Sequence, residues 1–222
     1  MQEKWEIDNS VVHICRTEKN WYGSSYELGL AFKPGSLNQE ARLHLLQTIW
    51  QHPHLRGVLE HPKAYGQAWR GVELVLANRP YYQCWGCIRL HNGRVVGCSS
   101  SFLDLTDDWW FALSIPLSML NLVHSVDYTQ PITHAGNPWT MKIDQILASI
   151  GIDVYREVPF KLGVLGEEAL GIPVMKRLGD LAKDTGLLVP EFLFKSMDLA
   201  PRGIRSPEGL WWTGGNEKLK GD

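Results

Sequence analysis

The sequence predicts an α+β fold: a mostly antiparallel sheet made of an N-terminal hairpin and a central three-stranded meander, packed with three or more helices in a single domain. Three observations carry this. Asn92-Gly93 sits between two runs of apolar, β-branched and aromatic residues, the strongest short signal for a hairpin. Residues 37–50 place Leu37, Ala41, Leu45, Leu46, Ile49 and Trp50 at helical spacing. The signals follow the order hairpin, helix, meander, helix, strand, helix, which is not the regular alternation of a parallel α/β sheet.

Taken in order, residues 11–16 read as a strand, with Val11, His13 and Cys15 on one side and Val12 and Ile14 on the other. Lys19-Asn20 and Tyr22-Gly23 mark a turn. In residues 25–32, Tyr26, Leu28, Leu30 and Phe32 share one apolar face, which completes the N-terminal hairpin. Pro34-Gly35 breaks that strand. Ser36 and Gln39 have the spacing of a capping box for the helix over 37–50, and Pro53 ends it. Residues 52–71 are polar and irregular, and 72–76 form a short strand.

The meander spans residues 81–115. A two-residue turn at Asn92-Gly93 sets Leu90 opposite Val95, Ile88 opposite Gly97 and Cys87 opposite Cys98. The third strand enters through Thr106-Asp107-Asp108 and stops at Pro116, since proline cannot donate to a ladder. Residues 117–124 read as a short helix and 125–137 as a loop. Pro138 opens a helix that Gly151 caps. Residues 160–165 form a buried strand, 173–181 a helix, and 187–194 a final strand interrupted by Pro190. From Gly203 onward the chain reads as loop. Residues 1–10 and 213–222 are expected to fray.

Length and composition bound the function. A chain of 222 residues, 44% hydrophobic and 21% charged, is long enough to bury a core without staples. A formal net charge of −2 lacks the basic footprint of a nucleic-acid binder and the polybasic cluster of a membrane-surface protein. The first residues, Met1-Gln-Glu-Lys-Trp-Glu6, contain no apolar stretch, and the longest apolar run, 109–123, is broken by Ser114, Pro116, Ser118 and Asn121. No export signal or membrane partner is expected, and the location is cytoplasmic. Four cysteines suggest no disulfide framework there.

No motif reaches a reaction class. Cys84 and Cys87 lie three apart in a strand, so they point to opposite faces and suit neither a zinc site nor a redox pair, even with Cys98, His13 or His91 nearby. His44, His52, His54 and His61 read as solvated helix and loop residues, and Ser99, Ser100 and Ser101 as sheet serines. No metal and no cofactor is expected. The most enzyme-like feature is the Glu167-Glu168 pair after a buried strand, which can place an acid at a sheet edge.

Ten tryptophans are an excess for this length. Trp211-Trp212, among Gly209, Gly214 and Gly215, and Trp109-Trp110, at a strand start, are candidate binding anchors, with rings folded over the sheet as the alternative. The sequence therefore leads to a cytoplasmic, non-enzymatic protein that docks a protein partner, of antitoxin or immunity type, through a tryptophan-containing surface. The alternative is a small-molecule hydrolase using Glu167 or Glu168 with a histidine.

Overall fold

The computed structural model describes residues 5–69, 72, 83–105, 108–129, 132–169, 186–196 and 203–213. In chain order the elements are α1 (Asn9–Arg16), β1 (Ser25–Phe32), α2 (Gln39–Gln51), β2 (Leu55–Leu59), β3 (Cys84–Arg89), β4 (Val95–Leu105), β5 (Asp108–Pro116), α3 (Leu117–Leu120), α4 (Thr140–Glu157), β6 (Leu162–Glu167), β7 (Gly186–Pro190), α5 (Glu191–Ser196), β8 (Ile204–Arg205) and β9 (Leu210–Trp212). Short 3-10 turns cover Glu18–Trp21 and Pro62–Ala64. Among the described residues the strands form one nine-stranded sheet in the order β2-β3-β4-β5-β1-β6-β7-β9-β8, and every neighbouring pair is antiparallel. The α+β class with an antiparallel sheet therefore holds. Among the described residues, no helix is long and apolar enough to cross a membrane.

Strand alternation divides the core. On one face of β1, Tyr26, Leu28, Leu30 and Phe32 stand beside Ile115, Leu113, Phe111 and Trp109 of β5. Helices α2 and α4 cover this face: a Cβ on Gly86 would meet the Trp50 ring at 2.3 Å, and one on Gly151 would meet Leu188 Cδ1 at 2.2 Å. The opposite face carries α1 and α3 at one end, where a Cβ on Gly97 would strike Met119 Sδ at 2.6 Å and Cys15 Sγ at 3.0 Å. At its other end Phe194 of α5 packs in a smaller cluster with Ala31, Trp110, Leu162, Val164, Leu187 and Val189.

Several sequence expectations are corrected. Residues 11–16 belong to a helix, not a strand. Asp8 accepts the Ser10 N–H at 2.6 Å and caps it, and Val11 and Cys15 lie one turn apart. The β-branched residues that imitate a strand are here one side of an amphipathic helix. β1 therefore has no hairpin partner before it, and pairs instead with β5 and β6. Ahead of α1, the Trp5 indole donates to Pro53 O at 3.1 Å. Helix α2 is capped by Asn38, whose side chain accepts the Ala41 N–H at 2.8 Å, while Ser36 Oγ donates back to Lys33 O. The stretch read as irregular contains β2.

The meander register moves by one residue. Leu90 N donates to Arg94 O and Gly93 N to Leu90 O, so the loop has three residues, His91-Asn92-Gly93, with Gly93 at φ +78°. This is a type I turn followed by a left-handed glycine. The outcome is Ile88 opposite Val96 and Cys87 opposite Gly97, so Cys87 and Cys98 are not a cross-strand pair.

Gly151 does not cap α4, which runs on to Glu157; it is the point where helix meets β7. Pro138 precedes that helix, which starts at Thr140. Pro190 ends β7 and is followed by a helix rather than more strand. Trp211 and Trp212 lie not in a loop but in β9, paired with β7 and β8. The predicted strand beyond Val72, Tyr81 and Tyr82 of the meander, and the helix over 173–181 lie outside the described residues.

Candidate functional site

The two faces of the sheet carry different chemistry. On the α1 face, a cleft of about 260 Å³ opens between the 3-10 turn Glu18–Trp21 and the turn Pro62–Ala64. Its floor includes Trp85 and Ser99, which are cross-strand neighbours. Trp21 and Tyr22 line one wall, His61 and Lys63 the other, and Arg16 reaches in from the last turn of α1.

This wall is fixed by the hydrogen bonds of its own turn. The Trp21 indole donates to Cys15 O at 2.7 Å, Asn20 Nδ2 donates to Ile14 O at 3.0 Å, and Ser118 Oγ donates to Asn20 O at 2.6 Å. The C-terminal carbonyls of α1 thus receive side-chain donors in place of the missing helical ones. The Trp21 ring stacks on Tyr65 at 6.0 Å, and the Tyr65 hydroxyl bonds Gly86 O beneath it. On the far wall, His61 Nδ1 accepts the Lys63 N–H at 3.0 Å, and its ring lies 6.0 Å from Trp85. A Cβ on Gly66 would lie 3.2 Å from Arg16 Nη2, so the guanidinium lies beside the chain just after the turn that carries Lys63. The Tyr22 hydroxyl, on a ring 65% exposed, donates to Glu18 Oε1 at 2.7 Å, and that carboxylate holds the phenol proton more tightly than usual.

On the α4 face lies a buried polar network. The Asp144 carboxylate is 1% exposed; Oδ1 accepts the Tyr26 hydroxyl at 2.7 Å and Oδ2 meets His134 Nε2 at 2.8 Å. That bond favours the imidazolium and raises the His134 pKa. Burial raises Tyr26 well above the usual phenol range. Two residues before His134, Ile132 N donates to Glu167 Oε2 at 3.1 Å. Glu167 is thus occupied with anchoring the 132–134 segment. Glu168 is exposed, with a left-handed backbone at φ +45° and its N–H on Ser25 O. The two acids do not converge on a common point.

The contact of Ser149 with His52 lacks the geometry of a nucleophilic relay. Ser149 Oγ lies 3.3 Å from His52 Nε2, with Asp153 Oδ2 3.7 Å from the same nitrogen. A relay needs acid and nucleophile on different ring nitrogens. Here His52 Nδ1 accepts the His54 N–H, and Ser149 Oγ gives its own proton to Ile146 O. Burial lowers the His52 pKa to about 4. Cys15, Cys84, Cys87 and Cys98 are free and buried, and burial pushes the Cys87 and Cys98 thiols up, away from nucleophilic thiolate. Among the described residues, no group of three metal-ligating side chains converges.

The tryptophans singled out in the sequence sit against the core. Trp110 is 3% exposed and belongs to the smaller cluster. Trp109 is half-buried beneath the Arg42 guanidinium at 3.8 Å. Trp211 stands edge-on to Phe194 at 6.0 Å, and Trp212 packs against the larger core. The rings that line the cleft, Trp21 and Trp85, were not singled out, because the helix that brings them together read as a strand. No family model, curated protein or solved structure matches the chain.

Proposed function

We propose that this is a non-enzymatic cytoplasmic protein that docks a protein partner, in the manner of an antitoxin or immunity protein, and that its docking surface is the Trp21–Tyr22–Trp85 cleft. The observation that supports the reading is the fixed aromatic wall at Trp21, held by three hydrogen bonds before any partner arrives. Aromatic rings set in place lose little freedom on binding and dominate interface energies. Four buried free thiols suit a reducing compartment. The hydrolase alternative has one point in its favour, the Glu167 bond to the segment that carries His134. It is weakened because His134 Nε2 is turned to Asp144 and Glu167 already accepts a backbone N–H.

The test is capture from lysate of the source organism with wild-type, Tyr22→Ala and Trp85→Ala baits. A protein retained by wild type and lost from both variants is the expected result. Tyr22 is 65% exposed, so its truncation should leave stability within about 0.5 kcal/mol of wild type. A partner held equally by all three baits would remove the cleft from the interface.

A further inference from the structure

We infer that the occupant of the cleft is an acidic peptide segment of the partner, with a carboxylate set against Arg16 and Lys63 and a flat apolar side chain set against Trp21 and Trp85. The inference rests on the docking reading above and adds the chemistry of what is docked.

Charge comes first. Two cations line the cleft, Arg16 from α1 and Lys63 from the 3-10 turn, and a Cβ on Gly66, three residues beyond Lys63, would lie 3.2 Å from Arg16 Nη2. Neither forms an ion pair among the described residues. Among the described lining residues the one carboxylate, Glu18, accepts the Tyr22 hydroxyl on the Trp21 wall. Its described lining therefore carries a local excess of positive charge on a chain whose formal net charge is −2. The overall field repels an acidic chain weakly, and the local one selects it. An arginine fork matches a carboxylate in two parallel hydrogen bonds.

Shape and size come second. A volume of about 260 Å³ is below the roughly 300–1,000 Å³ of sites that swallow a drug-sized ligand or cofactor. It holds one or two side chains, so the ligand is a segment that passes over the cleft and leaves most of its length outside. Trp85 in the floor and Trp21 in the wall give the cleft aromatic surface, which favours an aromatic ring or proline next to the acid.

The experiment pans a phage library of random dodecapeptides on the full-length protein, on an Arg16→Glu/Lys63→Glu variant and on a Trp21→Ala/Trp85→Ala variant. Arg16 and Lys63 are exposed, so the first variant should melt with wild type. Expected is enrichment of Asp or Glu beside an aromatic residue or proline. The selected peptides should bind on the order of tenfold or more weakly to the charge-reversed variant, and weaken with added salt. Enrichment of neutral or basic peptides that still need Trp21 and Trp85 would overturn the acidic class and leave docking at the cleft standing. Selection that ignores both variants would overturn both readings.

Discussion

The Tyr26 hydroxyl donates to Asp144 Oδ1 at 2.7 Å, joining β1 to α4 across 118 positions of the chain, with both side chains buried. A carboxylate at this depth is stable only while both oxygens are satisfied, and His134 takes the other. Tyr26→Phe keeps the ring and removes the donor. It should cost about 1–3 kcal/mol, read as a lower urea midpoint at unchanged slope. An unshifted midpoint would mean that the Tyr26 hydroxyl adds nothing net to the fold.

The same network sets a pH dependence. The His134 pKa is raised above 6.5 in the folded state, so its stabilising contribution is complete below 6.5 and fades as pH climbs through the raised value. His52 has the opposite sign. Its folded pKa of about 4, against 6.5 unfolded, means that stability is intact above 6.5 and falls as pH drops toward 4, by up to ~3 kcal/mol. Urea midpoints measured across this range should show both slopes. His52→Gln should flatten the acid one and His134→Gln the alkaline one. A profile that neither variant alters would refute both assignments.

Gly151 tests the seating of α4. Alanine is the better helix former by about 1 kcal/mol, yet its Cβ would lie 2.2 Å from Leu188 Cδ1. Gly151→Ala should destabilise by about 1–3 kcal/mol through overpacking. Adding Leu188→Ala should recover part of that loss, so that the double variant is more stable than the sum of the single effects. Strict additivity would show that helix and strand do not meet there.

Gly93 isolates a backbone effect, because an added Cβ there finds nothing within 4 Å, while φ is +78°. Gly93→Ala should cost about 1 kcal/mol and Gly93→Asn less, since asparagine tolerates the left-handed region. Equal losses in thermal melts would rule out the conformational origin.

What the sequence made legible follows from how local each signal is. The helix over Gln39–Gln51 and the strand Ser25–Phe32 announce themselves through spacing and alternation, and the structure keeps both. Asn92-Gly93 marks a hairpin, but the same dipeptide serves a two- or a three-residue loop; the difference lies in which hydrogen bonds Leu90 makes, and that displaces the register by one. Val11, Val12 and Ile14 favour a strand by propensity, and it is the Asp8 cap and burial of Cys15 that settle a helix. The cleft depends on the same helix. Trp21 and Trp85 are far apart in sequence and line one cleft only once α1 is laid across the sheet.

The position of β1 has a consequence for biosynthesis. Among the described strands, the one earliest in the chain is the middle one of nine, and its two neighbours end at Pro116 and Glu167. At about 5–20 residues per second, it waits several seconds or more for both flanks to exist. During that interval the apolar row Tyr26, Leu28, Leu30 and Phe32 is exposed to whatever else the nascent chain encounters. The pairing of β1 is therefore complete only once the chain has been made as far as Glu167.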